Sequence, residues 1–183
     1  MSKRYSHLIP LVFIGVGLII LGVVAAVTIM KPESLSTDFS VTPSTVNFPA
    51  PVLTLNDLKG EKVSISDYSP QIVLINNWAT WCPPCREEMP TLLEYYQKHA
   101  EDGFTMIGIN AGDPPDDVAK FVDEYGLTFP ILLDPNSKSL IKFHNDYLPS
   151  SYVIDRDGKV VLAWTGPISN AMLEKYVTPL LGQ

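Results

Sequence analysis

The 183 residues hold two cysteines, Cys82 and Cys85, in the run Trp81-Cys82-Pro83-Pro84-Cys85, so sulfur chemistry in this chain is confined to that spacing. A bridge between them closes so small a ring that chain-entropy arguments give it about 2 kcal/mol of stabilisation, less than a typical structural disulfide. Such a bond is suited to being made and broken. Asn76 to Trp81 lead out of the apolar run Ile72-Val73-Leu74-Ile75, which puts Cys82 where a buried strand ends and a helix begins. There a sulfur meets the positive end of the helix dipole and free N–H groups, and both lower a thiol pKa from its unperturbed ~8.5.

The residues between the cysteines qualify this. Pro83 and Pro84 fit the first turn of a helix but carry no N–H, which leaves Cys85 as the nearest donor to Cys82. The expectation is a less acidic Cys82 and a more reducing couple, testable by replacing Pro83 with Gly. Cys85, one turn further in, is expected to resolve the mixed disulfide that Cys82 forms. Glu88 follows three residues later on the same face, placed to act as a base or proton relay, although first-turn acids such as Glu87 and Glu88 also simply complement the dipole.

Metal readings fit less well. A zinc site wants four ligands, and the two cysteines with His7, His99 and His144 do not supply them. Copper, held by Cys82, Cys85 and His144, is the better metal alternative.

The elements that must position this pair follow from patterning. Residues 8–30 form a stretch of 23 residues without a charge, long enough to cross a bilayer core of ~30 Å and longer than the apolar region of a cleaved signal peptide. We read 1–7 as a cytoplasmic N-terminus, 8–30 as a transmembrane signal anchor, 31–47 as a flexible Ser/Thr/Pro-rich linker and 48–183 as one domain. Lys3 and Arg4 before the span put the N-terminus inside and the domain in an extracytoplasmic compartment where disulfides persist. From residue 48 onward ten basic against eighteen acidic residues leave a net charge of −8, which argues against a nucleic-acid partner.

Within the domain, 52–56 and 62–66 alternate as a β-hairpin, followed by a buried strand at 72–75 and a helix over 83–100. Then come a strand at 104–109, a helix at 115–125, a strand at 129–133, a short helix at 137–143, strands at 151–154 and 159–164, and a helix at 170–181. Strand and helix alternate, which is α/β architecture. Asp113-Pro-Pro-Asp-Asp117 reads as a helix start with acids in its first turn. Trp78 and Trp81 are expected to be part core and part contact surface, and Trp164 core.

Asn76-Asn-Trp-Ala-Thr-Trp-Cys-Pro-Pro-Cys-Arg-Glu-Glu-Met-Pro90 resembles the active-site segment of the thioredoxin-like family, more narrowly of its membrane-anchored TlpA/ResA-type branch. The resemblance spans about 48–181. It implies a four- or five-stranded mixed sheet flanked by helices, with an N-terminal hairpin and a helix-strand insertion at 113–130. Leu148-Pro149 resembles the family's cis-proline segment, which implies that Pro149 packs beside the cysteines and that Leu148 offers backbone groups to an extended substrate. Asn76 stands where thioredoxin has a buried acid, and Glu88 matches the glutamate of ResA-like members. The Pro-Pro dipeptide and Tyr147 depart from the pattern.

The resulting expectation is a membrane-tethered thiol-disulfide oxidoreductase with Cys82 as nucleophile, Cys85 as resolver and Glu88 as proton relay, and with Trp81, Pro83, Pro84, Leu148 and Pro149 forming the substrate surface. No cofactor is expected beyond the redox-active disulfide. The resemblance implies exported protein disulfides or dithiols as substrates, among them apocytochromes c, and a membrane thiol reductase as electron donor. The alternatives are a thiol peroxidase of the peroxiredoxin type and the copper protein above.

Overall fold

Seven consecutive buried residues, Ile72–Trp78, form the strand around which the domain is built. The structure, a computed structural model, describes residues 40–182. In chain order they fold as β1 (Ser44–Pro49), β2 (Thr54–Asp57), β3 (Lys62–Ser64), a 3₁₀ turn at Ile65–Tyr68, β4 (Ile72–Trp78) and α1 (Pro83–His99). Next come β5 (Phe104–Ala111), α2 (Pro115–Tyr125), β6 (Ile131–Asp134) and α3 (Lys138–Lys142). Strands β7 (Ser150–Ile154) and β8 (Lys159–Thr165) and helices α4 (Asn170–Tyr176) and α5 (Thr178–Leu181) close the chain.

The strands make one sheet in the order β1-β8-β7-β4-β5-β6-β2-β3. β4 runs parallel to β5 and antiparallel to β7, so the sheet is mixed, as the resemblance implies. It has eight strands and not four or five, because the β2–β3 hairpin adds to β6 and β1 adds to β8.

Side chains of β4 alternate between two cores, the period-2 consequence of a strand covered on both faces. Ile72, Leu74 and Trp78 join the cluster of Met89, Leu92, Phe121 and Leu173, where α1, α2 and α4 pack. Val73 and Ile75 join Leu55, Ile107, Leu132 and Phe143 on the other face. The same parity sends Asn76 toward α1 and Asn77 toward α3.

Besides shifts of one to three residues at strand and helix ends, two boundaries differ from expectation. The linker expected over 31–47 already belongs to the domain from residue 40, because β1 pairs with β8 from Ser44 and the Val41 N–H bonds the Pro167 carbonyl at 3.0 Å. The helix expected over 170–181 breaks at Val177 into α4 and α5, and Pro179 has no N–H to continue the ladder. Among the described residues no helix is long and apolar enough to cross a membrane. The expected span at 8–30, the residues before it and 31–39 of the linker lie outside the described residues.

Candidate active site

The end of β4 delivers Cys82 to the N-cap of α1, and the structure holds it in a disulfide with Cys85. Pro83 and Pro84 occupy the first two helical positions. The Cys85 N–H is the donor that reaches Cys82 Sγ, at 3.3 Å. An N-cap acceptor draws on the second or third helical N–H, so Pro84 is the residue that withholds a bond from the sulfur. Pro83, at the first position, withholds none.

Both sulfurs are buried, Cys82 at 3 % and Cys85 at 0 % exposure, within the core cluster shared by α1 and β4. Trp81, immediately before them, is 68 % exposed and reads as contact surface alone. Trp78 is wholly core, its ring 4.7 Å from that of Phe121, so the expected mixture of roles separates between the two tryptophans. Trp164 is core, as expected.

Glu88 lies one turn beyond Cys85 and is 2 % exposed. That decides against a solvated first-turn acid complementing the dipole. Its Oε1 accepts from Asn76 Nδ2 at 2.8 Å and its Oε2 from the Ile168 N–H at 3.2 Å. Burial pushes its pKa up to about 8, against the opposing pull of those two hydrogen bonds. A carboxyl with such a proton affinity, one helical turn from a thiol, is matched to exchanging a proton with it near neutral pH. Asn76 also donates to Ser151 Oγ at 3.0 Å, which links the carboxyl to β7.

The Leu148-Pro149 peptide is cis, as the resemblance implies. Pro149 is buried and runs directly into β7, where Ser150 pairs with Asn77 near the end of β4 that delivers the cysteines. Leu148 packs at the edge of the cluster that contains both sulfurs. Tyr147, immediately before Leu148, is 72 % exposed.

Sequence reasoning missed the clamp on the loop before Cys82. Asp113, read as a plain helix-start acid, accepts the Thr80 N–H at 2.7 Å and Asn110 Nδ2 at 2.8 Å. The Thr80 carbonyl accepts from the Arg86 guanidinium at 3.3 Å, and that group also lies over Phe121 and Tyr125. Both backbone polar groups of Thr80, two positions before Cys82, are therefore tied, one to α1 and the other to the connection between β5 and α2. In a second buried chain the Ser139 hydroxyl donates to Asn77 Oδ1 at 2.6 Å and the Ser139 N–H to Asp134 Oδ2 at 2.7 Å, which anchors α3 to β4. No local spacing signals the Thr80–Asp113 and Asn77–Ser139 contacts, whose partners lie 33 and 62 positions apart and are brought by different elements.

His144 is exposed, with its backbone in the left-handed region. Among the described residues no three His, Cys, Asp or Glu side chains are arranged to hold a metal ion, so His144 does not complete the copper site considered above.

Comparison with known proteins agrees with this geometry. Residues 46–163 match the model of the AhpC/TSA family. Over 128 residues the chain is 37 % identical to the thiol-disulfide oxidoreductase ResA of Geobacillus kaustophilus, covering 70 % of this chain and 74 % of that one. A thiol:disulfide interchange protein of the thioredoxin family from Chlorobium tepidum superposes with a TM-score of 0.66 at 29 % identity, over 76 % of this chain and 99 % of that one. StoA from Bacillus subtilis gives 0.61 at 27 %, over 71 % and 98 %. With the disulfide at the head of α1 and a thioredoxin-like sheet behind it, the chain belongs to the AhpC/TSA family of thioredoxin-like proteins and is a thiol-disulfide oxidoreductase.

Proposed function

We propose that this oxidoreductase is tethered to the membrane by residues 8–30, faces outward, and reduces disulfides in exported proteins. The observation that carries the chemistry is the buried Glu88 carboxyl one turn behind Cys85. In the reduced protein the Cys82 thiolate attacks one sulfur of a partner disulfide. The partner bond breaks, its second sulfur leaves as a thiolate and takes a proton, and a mixed disulfide joins Cys82 to the partner.

Cys85 then transfers its proton to the ionised Glu88 and attacks Cys82 Sγ. The partner's remaining sulfur leaves as a thiolate and is protonated in turn, which closes the Cys82–Cys85 disulfide. Two electrons and two protons pass to the partner. A dithiol donor reverses these steps to reload the protein, and a membrane thiol reductase fits the proposed tether. Trp81, Leu148 and Pro149 frame the approach to Cys82, with Leu148 offering its backbone to an extended segment. Apocytochromes c, whose haem sites carry paired cysteines, are the substrate class that the family resemblance favours.

Replacing Cys85 with Ser in intact cells and identifying what stays joined to Cys82 tests this reading. Exported proteins with paired cysteines are expected, and a membrane-impermeant thiol reagent is expected to label Cys82 from outside. If no mixed disulfide accumulates while peroxide turnover survives, the thiol peroxidase reading replaces it.

A further inference from the structure

The loop 166–169, between β8 and α4, touches both halves of the reaction. Its Ile168 N–H bonds the Glu88 carboxyl at 3.2 Å, and its Gly166 N–H bonds the Pro149 carbonyl at 2.8 Å. Ile168 is itself buried in the cluster that contains the two sulfurs. What holds this loop from outside is the segment by which the chain enters the domain.

The Val41 N–H donates to the Pro167 carbonyl at 3.0 Å, and the Ser169 N–H donates to Ser40 Oγ at 2.8 Å. Ser169 is the N-cap of α4, and its backbone N–H is the group that a capping box satisfies with an acidic or amide side chain three residues on. Here a hydroxyl from 129 positions earlier takes that place. Val41 Cγ1 would lie 3.0 Å from a Cβ at Gly166, whose φ of +102° already calls for glycine, so the fit leaves no room for a side chain there.

We propose that Ser40 and Val41 form a strap that positions the 166–169 loop, so that the point where the tether meets the domain helps set the proton-accepting state of Glu88. The inference rests on the proton-relay role given to Glu88 above. A hydrogen bond to the ionised carboxylate favours ionisation, and loosening the loop weakens that bond. The groups facing Glu88 are the Asn76 amide from β4, the Ile168 N–H and, on α1, the cysteines one turn away. No charged side chain among the described residues acts on it.

The test uses the full-length chain in detergent. The Cys82 mixed disulfide is formed with a small thiol, and its release by Cys85 is followed by stopped flow from pH 6 to 10. In Ser40→Ala and Val41→Gly the pH midpoint of release is expected to move up, slowing release at pH 7 by about three- to ten-fold. Ser40→Thr, which keeps the hydroxyl, is expected to restore it. In a Glu88→Gln background the strap variants should change nothing further. An unmoved midpoint in both strap variants, with Glu88→Gln abolishing the titration, overturns the strap and leaves the relay standing. If Glu88→Gln leaves the profile intact, the relay falls and the strap with it.

Discussion

A carboxyl held protonated by burial makes the protein less stable as pH rises, and Glu88→Gln measures how much. Between an ordinary Glu pKa of 4.5 and the folded value of about 8, the native state keeps a proton that the unfolded chain has released. Stability is therefore undiminished below the lower value, falls through that window and levels off above it. From pH 5 to pH 9 the loss attributable to this one group is about 4 kcal/mol. Gln cannot ionise. It can accept from the Ile168 N–H and, once the Asn76 amide turns over, donate to Asn76 Oδ1, a buried oxygen without a hydrogen-bond partner in the parent protein.

The two proteins should accordingly agree within about 1 kcal/mol at pH 5, and the variant should be the more stable by several kcal/mol at pH 9. Denaturant unfolding of the oxidised full-length protein in detergent is the assay, since the disulfide removes both thiols from the titration. A difference between variant and parent that stays constant from pH 5 to 9 would mean that Glu88 does not hold its proton in the folded state.

Three other perturbations follow from the same geometry. Pro84→Ala adds the second helical N–H and should lower the Cys82 pKa by about one pH unit, read from the pH dependence of alkylation; an unchanged or higher value contradicts the role given to the proline. Asp113→Ala strands the Thr80 N–H and should cost about 1–3 kcal/mol in unfolding while slowing alkylation of Cys82, with Asp113→Asn recovering most of both. The Lys98 ammonium and the Thr178 hydroxyl hold Glu174 down to about 2. Its stabilisation is thus present above the ordinary carboxylate range and lost as pH falls toward 2. Because the pair is largely exposed, Glu174→Gln should lower stability at pH 7 by less than about 1 kcal/mol, and an equal loss at pH 2 would contradict the assignment.

The positions of the cysteine pair and of the acid behind it were legible in the sequence because all three lie within seven residues at one helix N-terminus, where spacing alone fixes the face they share. The central strand was legible because Ile72-Val73-Leu74-Ile75 is apolar without alternation. The edges were not. β1 carries exposed residues along a Ser- and Thr-rich stretch, and only its ladder with β8 makes it a strand. Asp113 sits among first-turn acids yet serves a loop 33 positions earlier. The hydroxyl of Ser40 and the N–H of Ile168 meet their partners across 129 and 80 positions, and those pairings exist only once the sheet has closed.

The division of labour proposed for the two cysteines is tested by intact-mass measurement after reaction with a disulfide-containing peptide. One stable peptide adduct is expected on Cys82 in the Cys85→Ser protein and none in Cys82→Ser, where buried Cys85 is left alone. A stable adduct on Cys85, or equal reactivity of the two variants, would contradict it.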